Sequence, residues 1–210
     1  MATFGNMIER IEDEIRDATI NSNVRAAILT AITDHEFERW WWNEDNSLRL
    51  TLSSSQEFYT SSHLTAIPNL LHIDDIRVSI SGSKTPLRRR SWEWFERVST
   101  GAPGNVGIPS DFTYYQQQLR FYPVPNATIT ADISSVVRLA TLSATADTNA
   151  WTNDAEAMIR CQAKAHLYAH VKGDDVQAQK YYQMAQLHRS QLVRENVKRL
   201  SRGRTEPWQF

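Results

Sequence analysis

Cysteine is all but missing from this chain: Cys161 is the only one in 210 residues. That rules out an intramolecular disulfide framework and suits a reducing compartment. No stretch approaches the roughly 18 apolar residues that a membrane-spanning helix needs, so no membrane partner is expected. An excess of one charge is lacking too. The formal net charge is −1, which by composition argues against a nucleic-acid binder or a membrane-surface protein. The opening Met-Ala-Thr-Phe-Gly-Asn-Met-Ile-Glu-Arg has neither a basic start nor an apolar run, so no secretion signal is expected. There is no internal repeat and no low-complexity linker. The length suffices for one large domain or two small ones with a real core, and the chain reads as a soluble protein used in a cytosol.

Catalytic signatures are absent as well. His166 and His170 stand four apart on a predicted helix, a spacing at which two imidazoles can share a metal. A zinc-protease motif would need glutamate after the first histidine, where this chain has Leu167, and no carboxylate or thiolate pair lies at ligand spacing. Two helix-surface histidines are the simpler reading, and no metal or cofactor is expected. Gly101, Gly104 and Gly107 match neither phosphate-cradling glycine pattern, and Pro103 stiffens what reads as a connector. No nucleophile elbow occurs. Cys161 sits in a helix interior, where a thiol is usually an inert small hydrophobe. Asp74-Asp75 has no partner for acid–base work and reads as a solvated strand edge. No catalytic residue is assigned, and the chain is not expected to be an enzyme.

What is present begins with three consecutive tryptophans, Trp40, Trp41 and Trp42, which close a second amphipathic segment. On a helix neighbouring residues point about 100° apart, so the three cannot share one core. A second layer of the same domain or a neighbouring subunit must cover at least one ring, and surplus aromatics suit an interface. The charges are also uneven. Glu9, Glu12, Asp13, Glu14 and Asp17 outnumber Arg10 and Arg16 near the start, whereas Arg189, Arg194, Lys198, Arg199, Arg202 and Arg204 outnumber Glu195 and Glu206 near the end.

Periodicity predicts the elements. Phe4, Met7, Ile8, Ile11 and Ile15 define a first helix capped by Thr3 and broken at Ile20–Asn23. Val24, Ala27, Ile28, Ala31, Ile32 and His35 define a second that runs into the tryptophans. From Asn46 the period changes to two: Leu48, Leu50 and Leu52, then Glu57–Ser61, then Ile76, Val78 and Ile80 read as strands. Leu87–Arg90 returns as a strand, and Ser91–Glu96 as a capped helical turn. Phe112–Tyr115 and Leu119–Tyr122 flank a glutamine turn, and Thr128–Val137 is the last strand. Helix resumes after Trp151, capped by Asn153, with Met158, Ile159, Ala163, Leu167 and Val171 buried and Gly173 at its end. Asp174 or Asp175 caps a final helix with Ala178, Tyr181, Ala185 and Leu192 inward.

The expected class is therefore α+β: an antiparallel bundle of two N-terminal and two C-terminal helices (1–45 and 151–186), an inserted antiparallel β region (46–150), and the C-terminal helix end with a docking arm (187–210). Arg88-Arg89-Arg90 beside Trp92, Trp94 and Phe95 mixes cations with aromatic faces as single-strand binders do, but a charged edge strand before a packed aromatic turn is preferred. The arm is the better electrostatic candidate, and its terminal Trp208 and Phe210 favour a protein partner over phosphate.

Five segments occur together in a telling order: Phe4-Gly-Asn-Met-Ile-Glu-Arg-Ile, Phe37-Glu-Arg-Trp-Trp-Trp-Asn-Glu, Leu119-Arg-Phe-Tyr-Pro-Val-Pro, Trp151-Thr-Asn-Asp and Ile159-Arg-Cys-Gln-Ala. In this the chain resembles the head–tail adaptor (connector) proteins of tailed bacteriophages over nearly its whole length. The resemblance implies a helical bundle with a β insertion and a virion protein of the head–tail neck, present in the host cytoplasm during assembly. It implies a homo-oligomeric ring of about twelve copies under the portal protein. Such a ring extends the DNA channel without sequence-specific binding and carries a tail or nozzle protein. The family's C-terminal segments climb onto the portal, so Arg194, Lys198, Arg199, Arg202, Arg204, Trp208 and Phe210 are the expected portal-docking residues, with Trp40, Trp41 and Trp42 at the subunit interface. A tail-completion or tail-tube protein is the nearest alternative; a nucleic-acid-binding module is more remote.

Overall fold

The structure is a computed structural model that describes residues 2–80, 82–101 and 105–200. Its α+β character agrees with the sequence, and the chain divides into two compact units, residues 1–42 with 139–210 and residues 43–138.

The helical unit opens with α1 (Phe4–Ile15), where Thr3 accepts from the Asn6 N–H and Asn6 answers through its own side chain. A residue in the left-handed conformation, Arg16 at φ 57°, ends the helix. The break thus falls earlier than the polar Ile20–Asn23 stretch suggests: a short 3₁₀ turn (Ala18–Ile20) leads into α2 (Asn21–Thr33), whose first turn is made of those same polar residues. Helix ends expose backbone groups, and asparagine and serine are at home there. Later come α4 (Ala150–Asn153), α5 (Glu156–Leu167), a π-helical turn (Tyr168–Lys172) and α6 (Asp175–Leu200). Asn149, not Asn153, is the cap: its side chain receives the Trp151 N–H, and Thr152 reciprocates.

Helix α5 packs against both α2 and α6. It therefore has little solvent-exposed surface: its polar stripe Glu156, Arg160 and Lys164 faces charges of α1, and even Gln162 and Lys164 are buried. Val171, predicted inward, is 42% exposed because the π-helical turn shifts the register before Gly173 (φ 65°) closes it. The core joins Phe4, Met7, Ile11, Val24, Ile28 and Trp40 to Trp151, Met158, Ile159 and Leu167. The stretch 139–149, expected within the β insertion, belongs here instead. Leu142 is buried in this core, and the Phe4 and Gly5 amides, which no turn of α1 satisfies, donate to Asp147 and Thr145 carbonyls at 2.9 and 2.8 Å.

The β unit contains β1 (Glu44–Leu52), β2 (Phe58–Tyr59), β3 (Leu70–Ile80), β4 (Ser83–Pro86), β5 (Arg88–Arg89), β6 (Val106–Gly107), β7 (Asp111–Tyr115), β8 (Gln118–Tyr122), β9 (Val124–Pro125) and β10 (Ile129–Val137), with α3 (Trp92–Gly101) between β5 and β6. One sheet has the order β1-β10-β3-β4, and a second β2-β8-β7-β5. The register aligns Leu50, Ala131 and Val78 across three strands, all fully buried. Opposite them Tyr59, Phe112, Leu119 and Phe121 fill the same core from the second sheet. The insertion is not wholly antiparallel: β5 runs parallel to β7, and β6 to β9. The expected Leu87–Arg90 strand is shorter, β5 at Arg88–Arg89, and it joins the second sheet, while β4, which ends at Pro86, and the Leu87 amide stay bonded to β3.

Candidate functional site

The tryptophans do not continue α2. The helix stops at Thr33, and Trp40–Trp42 lie in an irregular loop that leads to β1. Freed from the helical 100° step, the rings gather within their own unit. Trp40 is 1% exposed and stacks on Trp42 at 5.0 Å; Trp42 meets Trp151 edge-on at 5.5 Å, and Trp41 meets Trp42 at 4.3 Å. Of the two coverings the sequence allows, a second layer of the same domain is present. Trp41 and Trp42 stay partly exposed, the part of the triplet open to a neighbour.

The last helix clamps this loop. Arg189 holds Glu38 through two contacts, at 2.8 and 3.2 Å, and His35 Nδ1 lies 2.9 Å from the same carboxylate. Partial burial opposes ionisation, yet the Arg189 guanidinium and the His35 ring hold Glu38 below the ordinary carboxylate range. Asn196 donates to the Arg39 carbonyl at 2.9 Å, and the Arg199 guanidinium lies 4.3 Å from the Trp41 ring centroid. So Leu187–Leu200, expected as the end of the last helix leading into the docking arm, is helix anchored to its own unit. Among the predicted docking residues, Arg194 and Lys198 face solvent, and Arg199 covers Trp41. Arg202, Arg204, Trp208 and Phe210 lie outside the described residues.

Two buried cations escaped sequence reading. Lys164, 4% exposed, bonds Glu14 of α1 and lies 4.2 Å from the Tyr181 ring of α6, joining three helices. Arg120, also 4% exposed, pairs with Glu57 and Glu96 at 2.6 Å each and sits within 5.5 Å of the Phe58, Trp92 and Phe95 rings. The available signal was local: each cation is flanked on both sides by buried apolar neighbours, Ala163 and Ala165, Leu119 and Phe121.

Arg120 also explains the basic-aromatic stretch. Trp92 packs on Phe58 and Tyr115, and Arg90 is tied to Asp111 at 2.8 Å while lying over Trp94. Only Arg88 and Arg89 of that run project freely into solvent on a short strand. His166 faces Asp34 at 3.0 Å and stacks on His170 at 6.2 Å; among the described residues no group of three or more ligand-type side chains converges. Asp74 and Asp75 lie beside His72 and Arg77. Cys161 is buried, and burial pushes its thiol up. No described helix is long and apolar enough to cross a membrane.

The surface features are a half-exposed tryptophan loop and a clamped basic helix in one unit and an aromatic sheet edge in the other. No curated protein matches the chain. The SU10 adaptor protein family does, over residues 2–207, and by that near-complete match the chain belongs to the SU10 adaptor protein family.

Proposed function

We propose that the protein is a structural head–tail adaptor of a tailed phage. In this reading it forms a ring under the portal that extends the DNA channel and attaches the tail or nozzle. The observation that carries it is the family match from residue 2 to residue 207, which covers both units. The ring, about twelve copies in closed cyclic symmetry, needs two unlike side faces on each subunit. The outward Glu9 and Asp13 of α1 and the outward Lys180, Arg194 and Lys198 of α6 supply opposite charges for such faces. Trp41 and Trp42 are the aromatic contribution to the contact between subunits, while Trp40 supports them from the core.

Portal docking falls to the segment from about Leu187 to Phe210, with Arg194, Lys198, Arg199, Arg202 and Arg204 steering and Trp208 and Phe210 anchoring. Arg199 shares its cation with Trp41. DNA passes the ring without sequence-specific contacts, and the protein acts in the virion neck after assembly in the host cytoplasm. The test is electron cryo-microscopy of the portal vertex of the intact particle. A ring of this chain below the portal, with the C-terminal segment on the portal, is the expected result. A vertex without this chain would remove the adaptor reading and bring nucleic-acid binding forward.

A further inference from the structure

In the helical unit, α5 and α6 leave an open groove of about 270 Å³. Ala157, Met158 and Leu192 make its apolar lining, and Asp154, Glu195, His188 and Gln191 its polar lining, so that two carboxylates stand at an apolar floor. Glu195 already shares its carboxylate with Arg199 at 3.0 Å and Lys198 at 3.9 Å on its own helix. Asp154 is exposed and carries no ion pair among the described residues. An apolar lining with two carboxylates beside it suits a segment with one large flat apolar side chain and cations close by.

The sequence that follows α6, Ser-Arg-Gly-Arg-Thr-Glu-Pro-Trp-Gln-Phe, has that chemistry: Arg202, Arg204 and Trp208. These residues lie outside the described part and enter by sequence alone. The reach fits. From Leu192 to Leu200 the helix covers about 12 Å, and Ser201 to Trp208 spans about 26 Å when extended.

We propose that the free chain seats its own C-terminal segment in this groove, with Trp208 on the Met158–Leu192 floor and Arg202 and Arg204 against Asp154 and Glu195. The proposal does not rest on the adaptor reading, although it bears on it. A segment held on its own subunit binds any external partner with affinity lowered by the fraction released.

The test is fluorine NMR of the full chain carrying 5-fluorotryptophan, with the Trp208 line assigned by Trp208→Phe. The expected line is displaced from the position of a solvent-exposed indole and stays displaced on dilution. Asp154→Arg should move it to the exposed position, Arg202→Glu with Arg204→Glu should restore the displacement in the Asp154→Arg background, and Ala157→Phe, which fills the groove, should abolish it. A wild-type line at the exposed position overturns the proposal, as does a displaced line indifferent to both groove substitutions. Displacement lost on dilution would overturn it too, assigning the groove to a second copy. Portal binding is read separately, so a chain that binds the portal but shows a free Trp208 refutes the groove alone.

Discussion

At the scale of single residues, the fold depends on a few charged side chains placed where apolar ones would be expected. Removing Lys164 leaves the Glu14 carboxylate without its closest cation and takes a cation from the Tyr181 ring. Arg160 at 3.5 Å compensates in part, so Lys164→Ala should cost about 1–3 kcal/mol in a denaturant titration, and Lys164→Arg much less. Arg120→Met keeps the aliphatic stem but removes the cation that Glu57 and Glu96 share. It should lower stability by about 2–4 kcal/mol, read in the same way. Acid sensitivity is also local. Asp17 bonds Lys172 and Thr19, and these hold its carboxyl down at about 2 against an ordinary 3.8. A depressed carboxylate stabilises the fold above its unfolded value, and that contribution disappears as pH falls through the folded one. Wild type should therefore lose stability between pH about 4 and about 2 more steeply than Asp17→Asn, which lacks that titration; equal slopes in acid unfolding would refute it. Neither buried cation was legible as such. Their partners lie far away in sequence, and pattern reading assigns a lysine or arginine to solvent by default.

At the scale of elements, legibility followed the hydrophobic period. Strands β1, β3 and β10 and helix α1 have clean two-fold or helical spacing, and all four formed within a few residues of expectation. Errors clustered where the deciding interaction is a cap or a turn. Arg16 stops α1 in the left-handed conformation that glycine or asparagine usually takes, and Asn149 outcompetes Asn153 because Thr152 can complete its box. The tryptophan loop misled for another reason. His35, Trp40 and Trp42 prolong an apparent inward stripe, but the turn at Asp34–Phe37 had already ended the helix. The 139–149 segment has little periodicity of its own and is held by backbone bonds to α1. That makes Gly5 informative: a Cβ there would meet the Thr145 Cβ and carbonyl oxygen at 3.0 Å. Gly5→Val should push this segment away, lowering stability by about 1–3 kcal/mol. It should also speed amide exchange at Phe4 and Gly5, whereas Gly5→Ala should show a smaller effect of the same sign.

At the scale of the whole molecule, the chain is two cores on one continuous path that leaves the helical unit once and returns once. Each core contains fully buried large residues of its own, Ile28 and Met158 in one, Ile76 and Phe121 in the other. A compact unit with its own core can open without the other, because the apolar burial that drives its cooperativity is internal. Ile28→Ala and Ile76→Ala should each cost about 2–5 kcal/mol by the loss of buried methyl groups and the cavity left behind. Hydrogen exchange followed by mass spectrometry should find the first loss in 1–42 and 139–200 and the second in 43–138. Equal loss of protection throughout the chain after either substitution would show a single cooperative unit. For an adaptor, independent units have a consequence. The helical unit bears the tryptophan loop and the last helix, so if the proposed ring forms through Trp41 and Trp42, Ile76→Ala, at a temperature where only the β unit is weakened, should leave that association intact in a ring-assembly assay. Ile28→Ala, which loosens the core behind Trp40, should reduce it.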